Sequence, residues 1–254
     1  MFNTMIGKYF PGKSMIHNLN SKSKVICLFI FLITLFSNNY LVLSSLVFLT
    51  LILMFLSEVP LSLYFKSIWS LRFFLIFILI LSLIFKESAI ILIITLIKII
   101  IVLIYTMILT YTTSKSELTS ALESIFKPLE KIKVPVSKIA LIITLALRFI
   151  PTIFEQTEKI RKSQASRGID FFHGNLKEKI MAIKFLIVPT LILTINRSQL
   201  IADAMEIRLY GINSFRSNYR YSRWTNIDDT LIIIHLGILV YALIRMWLSW
   251  EIVF

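Results

Sequence analysis

The sequence predicts an all-α integral membrane protein with about five transmembrane helices and long amphipathic helices on one side of the membrane. Three observations carry this. Of 254 residues 57% are hydrophobic and only 16% charged, with a mean hydropathy of +0.82, more apolar surface than one water-facing core of this size can hide. The apolar residues lie in continuous runs rather than the strict alternation of a membrane barrel. Only 6 Gly and 6 Pro are present, too few for a turn-rich β architecture.

Taken in order, the lysine-bearing N-terminus (Lys8, Lys13, Lys22, Lys24) leads into a first span, Ser23–Phe36. It superficially resembles a signal sequence. However, no small-x-small cleavage site follows, and the run passes through Ser37, Asn38 and Asn39 into a second apolar stretch, so a retained helix is expected. The first span is short for a hydrocarbon core of ~30 Å and must tilt, thin the bilayer or extend through its polar ends. Further spans are expected at Tyr40–Leu56, Ile68–Phe85, Ala89–Thr113 and Asp228–Trp250. Positive flanks orient them. The N-terminus, the Glu58–Arg72 link with Lys66 and Arg72, and the stretch from Lys115 should face the cytoplasm, and the Ser37–Asn39 and Lys86–Glu87 turns the outside. The expected topology is five spans of a bacterial cell membrane, N-terminus in and C-terminus out.

Between Ser114 and Arg223 the chain becomes strongly basic and carries most of the excess behind the net charge of +13. Basic residues interleaved with hydrophobic spans fit an anionic membrane surface rather than nucleic acid. The apolar pieces Ile139–Leu147 and Phe185–Ile195 read as too short to span alone. Ser116–Lys131 sets Leu118, Leu122, Ile125, Phe126 and Leu129 on one helical face. After Pro135 a long helix runs through Phe154 to Arg167, with Glu155/Lys159 and Glu158/Lys162 at the i,i+4 spacing. A second runs from about Leu176 to Tyr210, kinked at Pro189. The organisation is therefore a four-span membrane part (1–113), a cytoplasmic or interfacial region of long helices (114–224) and a C-terminal span (225–254).

Most chemical motifs have plain readings. Gly7–Ser14 spells G-x-x-x-x-G-K-S, but no strand precedes it and no nucleotide-binding α/β pattern follows, so a phosphate loop is not expected. His17, His173 and His235 lack neighbours at metal-ligand spacing. Asp228 and Asp229 suit a helix N-terminus and have no second acidic pair. Cys27 lies in an apolar run as a small core residue and rules out an internal disulfide framework. No nucleophile–base constellation appears, and neither catalytic residues, a metal nor a cofactor is expected. Among intramembrane cations, Arg245 is near a span end and can snorkel, whereas Lys98 is closer to mid-span, where charge is expensive and often functional.

The sharpest feature is a pair of arginines. The first long helix ends Gln164-Ala165-Ser166-Arg167-Gly168, and the second ends Met205-Glu206-Ile207-Arg208-Leu209-Tyr210-Gly211. In each, an arginine lies in the last turn and a glycine able to cap in the left-handed conformation follows within three residues. The spacing admits two readings: ordinary helix endings, or two tips that each present a planar guanidinium able to grip a carboxylate through two hydrogen bonds.

The opening GKYFPGKSMIH (Gly7–His17) with Lys22-Ser23-Lys24, and ADAMEIRLYG (Ala202–Gly211), resemble the signatures of the transmembrane coupling component, or T subunit, of energy-coupling factor transporters, relatives of the cobalt-transport permeases. The resemblance covers essentially the whole chain. It implies a non-catalytic scaffold of an ATP-driven importer. Two cytoplasmic ATPases, which bind the ATP, would dock on the tips through a short Ala-Arg-Gly-type motif on each coupling helix. A small membrane substrate-binding subunit would capture a vitamin or metal ion. Carried over residue by residue, the docking motifs are Ser166-Arg167-Gly168, which departs at Ser166, and Ile207-Arg208-Leu209, which keeps the arginine alone. The rival readings are a self-sufficient secondary transporter, which predicts interrupted helices with midplane ionisable groups, and a membrane-embedded enzyme.

Overall fold

The computed structural model describes residues 9–37, 39–86, 88–171, 175–211 and 224–251, with side chains through Leu248. Gly7, Lys8, Asn38, Glu87, His173 and Arg223, all used above, lie outside the described residues. Two compact units are present, residues 1–140 with 222–254, and residues 141–221.

The first unit opens with the short helix α1 (Met15–Asn18), capped by Ser14, whose hydroxyl also meets His17 Nδ1 at 2.6 Å. Helix α2 (Ser21–Leu35) is capped by Asn20, and α3 (Tyr40–Leu56) by Asn39. There follow α4 (Leu61–Ser70), α5 (Arg72–Ile84) and α6 (Ala89–Thr112). Next comes α7 (Lys115–Phe126), which starts with a reciprocal capping box. Glu117 N–H donates to Ser114 Oγ (3.3 Å), and Ser114 N–H to the Glu117 carboxylate (2.9 Å). A 3-10 turn (Lys127–Ile132) leads to α8, and α10 (Asn226–Glu251) closes the unit.

Helix α2 packs against α3, α6, α7 and α10. Its Phe31, fully buried, stacks on Tyr105 of α6 at 4.3 Å between ring centroids. Tyr105 in turn meets His235 Nε2 of α10 at 2.8 Å. Because His235 Nδ1 lies 2.8 Å from the Leu231 carbonyl, which can only accept, Nδ1 carries the proton and the Tyr105 hydroxyl donates to Nε2.

Polar ties gather at one end of this unit. Buried Lys24 donates to the Thr112 carbonyl at 3.1 Å, Phe10 N–H donates to the Tyr111 carbonyl at 3.0 Å, and buried Asp228 accepts from Asn20 N–H at 2.9 Å. That end collects Lys13, Lys22 and Lys24, the start of α10 and the entry to α7. At the other end Lys98 donates to the Ser37 carbonyl, just past the end of α2, at 3.0 Å. The lysine stem thus carries its charge from mid-helix to a helix C-terminus, where the dipole favours a cation.

Several elements differ from expectation. The stretch Ile68–Phe85, read as one span, is broken at Leu71 with a 52° bend, and α4 lies within what was read as the Glu58–Arg72 link. Side-chain ties hold α4 in place: Ser57 Oγ to Tyr64 Oη (3.0 Å) and Ser67 Oγ to Tyr111 Oη (2.7 Å). Among the described residues, three helices are long and apolar enough to cross a membrane (α6, α8 and α10), or four if α4 and α5 count as one span. At 15 and 17 residues, α2 and α3 are shorter than the ~20 that an untilted crossing takes. Only part of the apolar face of α7 is packed, with Leu122 and Ile125 half-buried. Thr119 and Ala121 are buried, while Leu118 and Phe126 stay exposed, because small residues let α7 approach α2 closely.

Helix α8 (Val136–Ser166) starts directly after Pro135 and contains Pro151. Helix α9 (Leu176–Ile207) follows Asn175 and contains Pro189. They are continuous helices of 31 and 32 residues, each about 45–50 Å long at ~1.5 Å per residue. The segment Ile139–Leu147, read as too short to cross alone, is therefore part of one of the long apolar helices. Within the second unit the Arg197 guanidinium of α9 lies over the Phe149 ring of α8 at 5.7 Å.

Candidate functional site

The arginine-bearing ends of α8 and α9 share one hydrogen-bond pattern. Beyond α8, Ile169 N–H donates to the Gln164 carbonyl (3.2 Å) and Gly168 N–H to the Ala165 carbonyl (3.0 Å). Beyond α9, Tyr210 N–H donates to the Met205 carbonyl (2.9 Å) and Leu209 N–H to the Glu206 carbonyl (2.9 Å). Each is a complete Schellman motif. In this register Ser166 matches Ile207 as the last helical residue, Arg167 matches Arg208 as the C-cap, and Gly168 matches Leu209 in the left-handed position, with φ of +87° and +57°. The six predicted residues are thus two copies of one local structure, each with its arginine exposed at the point where the helix stops.

Glycine caps the first tip as expected. At the second the expectation fails: Leu209, not Gly211, takes the capping position, and Gly211 is left-handed at +88° two residues later. Aligning the two arginines is the sequence signal that reveals this, since it sets Leu209 under Gly168. A left-handed non-glycine residue costs roughly 1–2 kcal/mol, and Leu209, at 68% exposure, recovers little of that by burial. Leu209→Gly is therefore expected to firm the end of α9 by about 1 kcal/mol, seen as roughly fivefold slower hydrogen exchange at the Tyr210 amide. Gly168→Ala, with nothing within 4 Å of the added Cβ, should loosen the Ile169 amide by a similar factor. Equal exchange in variant and parent would show that left-handed geometry is not what holds these ends.

The tips differ in what surrounds the guanidinium. Around Arg167 stand Ser166 and Gly168. Around Arg208 stand Ile207 (81% exposed), Leu209 and Tyr210, an apolar collar about the charge. Among the described residues neither arginine forms a salt bridge. About two turns before the first tip, Glu158 pairs with Arg161, not with Lys162. Nε and Nη2 lie 2.9 and 2.6 Å from its two oxygens, a two-point grip that a lysine lacks. Glu130, before α8, accepts from Ser137 Oγ (2.6 Å) and N–H (3.0 Å), which holds its carboxyl below the usual range.

The remaining candidates occupy structural positions. Ser14, the last residue of the apparent phosphate loop, caps α1, and the His17 ring nitrogens meet Ser14 Oγ and the Phe10 carbonyl (2.9 Å). The pair Asp228 and Asp229 divides: Asp228 is buried and tied to α2, whereas Asp229 accepts from Trp224 Nε1 at 2.7 Å. Arg245 donates to the Tyr241 hydroxyl at 3.3 Å.

The profile of the cobalt transport protein family matches residues 12–218, which includes both tips. The chain is 34% identical to the energy-coupling factor transporter transmembrane protein EcfT of Bacillus subtilis (strain 168), over 92% of this chain and 94% of that one. It is 33% identical to the protein of the same name from Exiguobacterium sibiricum, covering 94% and 98%. Its identity to that of Macrococcus caseolyticus is 34%, covering 88% and 91%.

Proposed function

The chain belongs to the cobalt transport protein family and to the energy-coupling factor transporter transmembrane proteins, and on that premise we propose that it is the non-catalytic scaffold of an ATP-driven importer. Two cytoplasmic ATPases, which bind the ATP, dock on Ser166-Arg167-Gly168 and Ile207-Arg208-Leu209. Their movement passes along α8 and α9 to a small membrane subunit that holds the vitamin or metal ion. The single observation that carries this reading is the matched pair of helix ends, since two identical C-cap geometries each presenting an exposed arginine suit two partners of one kind. Exposed guanidinium groups that form no salt bridge among the described residues favour partner grooves that supply carboxylates.

The polar end that gathers Lys13, Lys22, Lys24 and the entry to α7 supports a cytoplasmic N-terminus by the positive-inside rule. On this reading the C-terminus of α10 faces outside.

Reconstitution tests the scaffold reading. Liposomes holding this chain, both ATPases and the substrate-binding subunit should take up substrate only with ATP inside the compartment the ATPases face. Omitting this chain should abolish uptake. Substrate-driven uptake by this chain alone would establish a secondary transporter, and turnover by the chain alone a membrane enzyme. Either result overturns the proposal.

A further inference from the structure

The bend between α4 and α5 exposes an aromatic and cationic surface that the scaffold role does not use. Helix α4 is fixed in rotation on its inner side, where Tyr64 and Ser67 are buried and hydrogen-bonded to Ser57 and Tyr111. Its outer side continues into α5 as a stripe at four-residue intervals: Phe65, Trp69 and Phe73, exposed by 76%, 64% and 71%. Arg72, the first residue of α5, lies over two of these rings, its guanidinium carbon 5.3 Å from the Trp69 centroid and 4.9 Å from that of Phe73. Ring contacts engage the faces of a guanidinium and leave its edge N–H groups available. Among the described residues no carboxylate or carbonyl accepts from them.

We propose that Arg72, walled by Trp69 and Phe73, binds the headgroup phosphate of an anionic phospholipid. Three features favour this occupant. First, from Leu61 to Ile84 the only charges are Lys66 and Arg72, with no acidic residue, so the surface complements a negative ligand. Second, α5 beyond Arg72 is apolar throughout except for Ser82. That sets the guanidinium where an apolar helix meets the polar interface, the depth of lipid phosphates and of aromatic belts. Third, the 52° bend turns α4 away from the α5 axis, so its aromatic side can lie along an interface while α5 enters the hydrocarbon. The phosphate takes two hydrogen bonds from the guanidinium edge, the rings pack against glycerol and upper acyl carbons, and Lys66 adds long-range attraction.

The test uses the full-length chain in nanodiscs of equal phosphatidylglycerol and phosphatidylcholine, released for native mass spectrometry. Wild type is expected to retain phosphatidylglycerol about fivefold over phosphatidylcholine, near the ~1 kcal/mol that one interfacial cation contributes. Arg72→Gln should bring the ratio close to one, Trp69→Ala should reduce it, and Arg72→Lys, which keeps charge, should preserve part of it. Arg245→Gln, at the far end of α10, should leave it unchanged. Added inorganic phosphate should not displace the lipid. Equal retention of the two lipids by wild type, an Arg72→Gln ratio equal to wild type, or displacement by inorganic phosphate would each overturn the assignment.

Discussion

A chain carrying Arg167→Glu and Arg208→Glu is expected to insert into the membrane normally and to lose its ATPase partners. Both arginines are exposed C-caps, so their side chains contribute little to packing in the free chain. The change in fold stability is limited to the helix-dipole term, a few tenths of a kcal/mol to about 1 kcal/mol per tip. The effect on docking is far larger. A guanidinium–carboxylate pair that loses water on binding is worth about 2–5 kcal/mol when one partner is truncated, and replacement by Glu adds repulsion. Because both tips sit on one chain, the second contact forms at high effective concentration. One substitution should thus weaken assembly by ~100-fold while leaving a detectable complex, and two should abolish it. Co-purification in mild detergent checks this against Lys159→Glu/Lys162→Glu, which reverses two exposed charges on the same helix away from the tip. Loss of the ATPases from the arginine variant alone is the expected result. Loss from both variants would mean that general basicity drives docking, and retention by the arginine variant would remove the tips from the interface.

The tips also show where reading a sequence succeeds. Arg167 and Arg208 stand out because each precedes a break in a long helical pattern, and a helix stop is a local property written in nearby residues. The left-handed residue of the second tip is legible only once the two tips are aligned on their arginines, because leucine is the wrong residue for that conformation and Gly211 two positions on is the more natural cap. The same division holds in the membrane unit. The bounds of α3 and α6 follow from uninterrupted apolar runs between polar turns. The break at Leu71 has no Gly or Pro to announce it; the Ser57–Tyr64 and Ser67–Tyr111 hydrogen bonds accompany it, and the second joins residues 44 positions apart. Lys98 looked like a mid-span charge with a possible functional role, whereas its amine reaches a carbonyl 61 residues away. In these last two cases the missing information is a partner distant in sequence.

Asp228→Ala is expected to be the most destabilising single substitution in the membrane unit. The carboxylate is fully buried and accepts four hydrogen bonds. Oδ1 takes Asn20 N–H (2.9 Å) and the Ser23 hydroxyl, and Oδ2 takes Thr225 N–H (2.8 Å) and the Thr225 hydroxyl (2.7 Å). It thereby joins the start of α10 to the start of α2, the helix on which the unit is packed. Removing it strands the buried Ser23 hydroxyl and the half-buried Asn20 amide, whereas the donors of exposed Thr225 can turn to water. Each buried donor left unsatisfied costs about 1–3 kcal/mol, and partial relaxation brings the sum to roughly 3–5 kcal/mol, a large part of a marginal total. Asn at this position keeps one acceptor oxygen but turns an NH2 group towards the other donors, so it should fall between Ala and wild type. Ser23→Ala, which removes one of the four donors, should cost about 1 kcal/mol. Asp229→Ala should change little, because that carboxylate is exposed and its partner is Trp224. Thermal unfolding of the purified chain in detergent ranks the four variants. If Asp228→Ala melts with wild type yet uptake fails in the reconstituted transporter, the carboxylate acts in transport rather than in holding α10 to α2, and the structural role assigned to it is wrong.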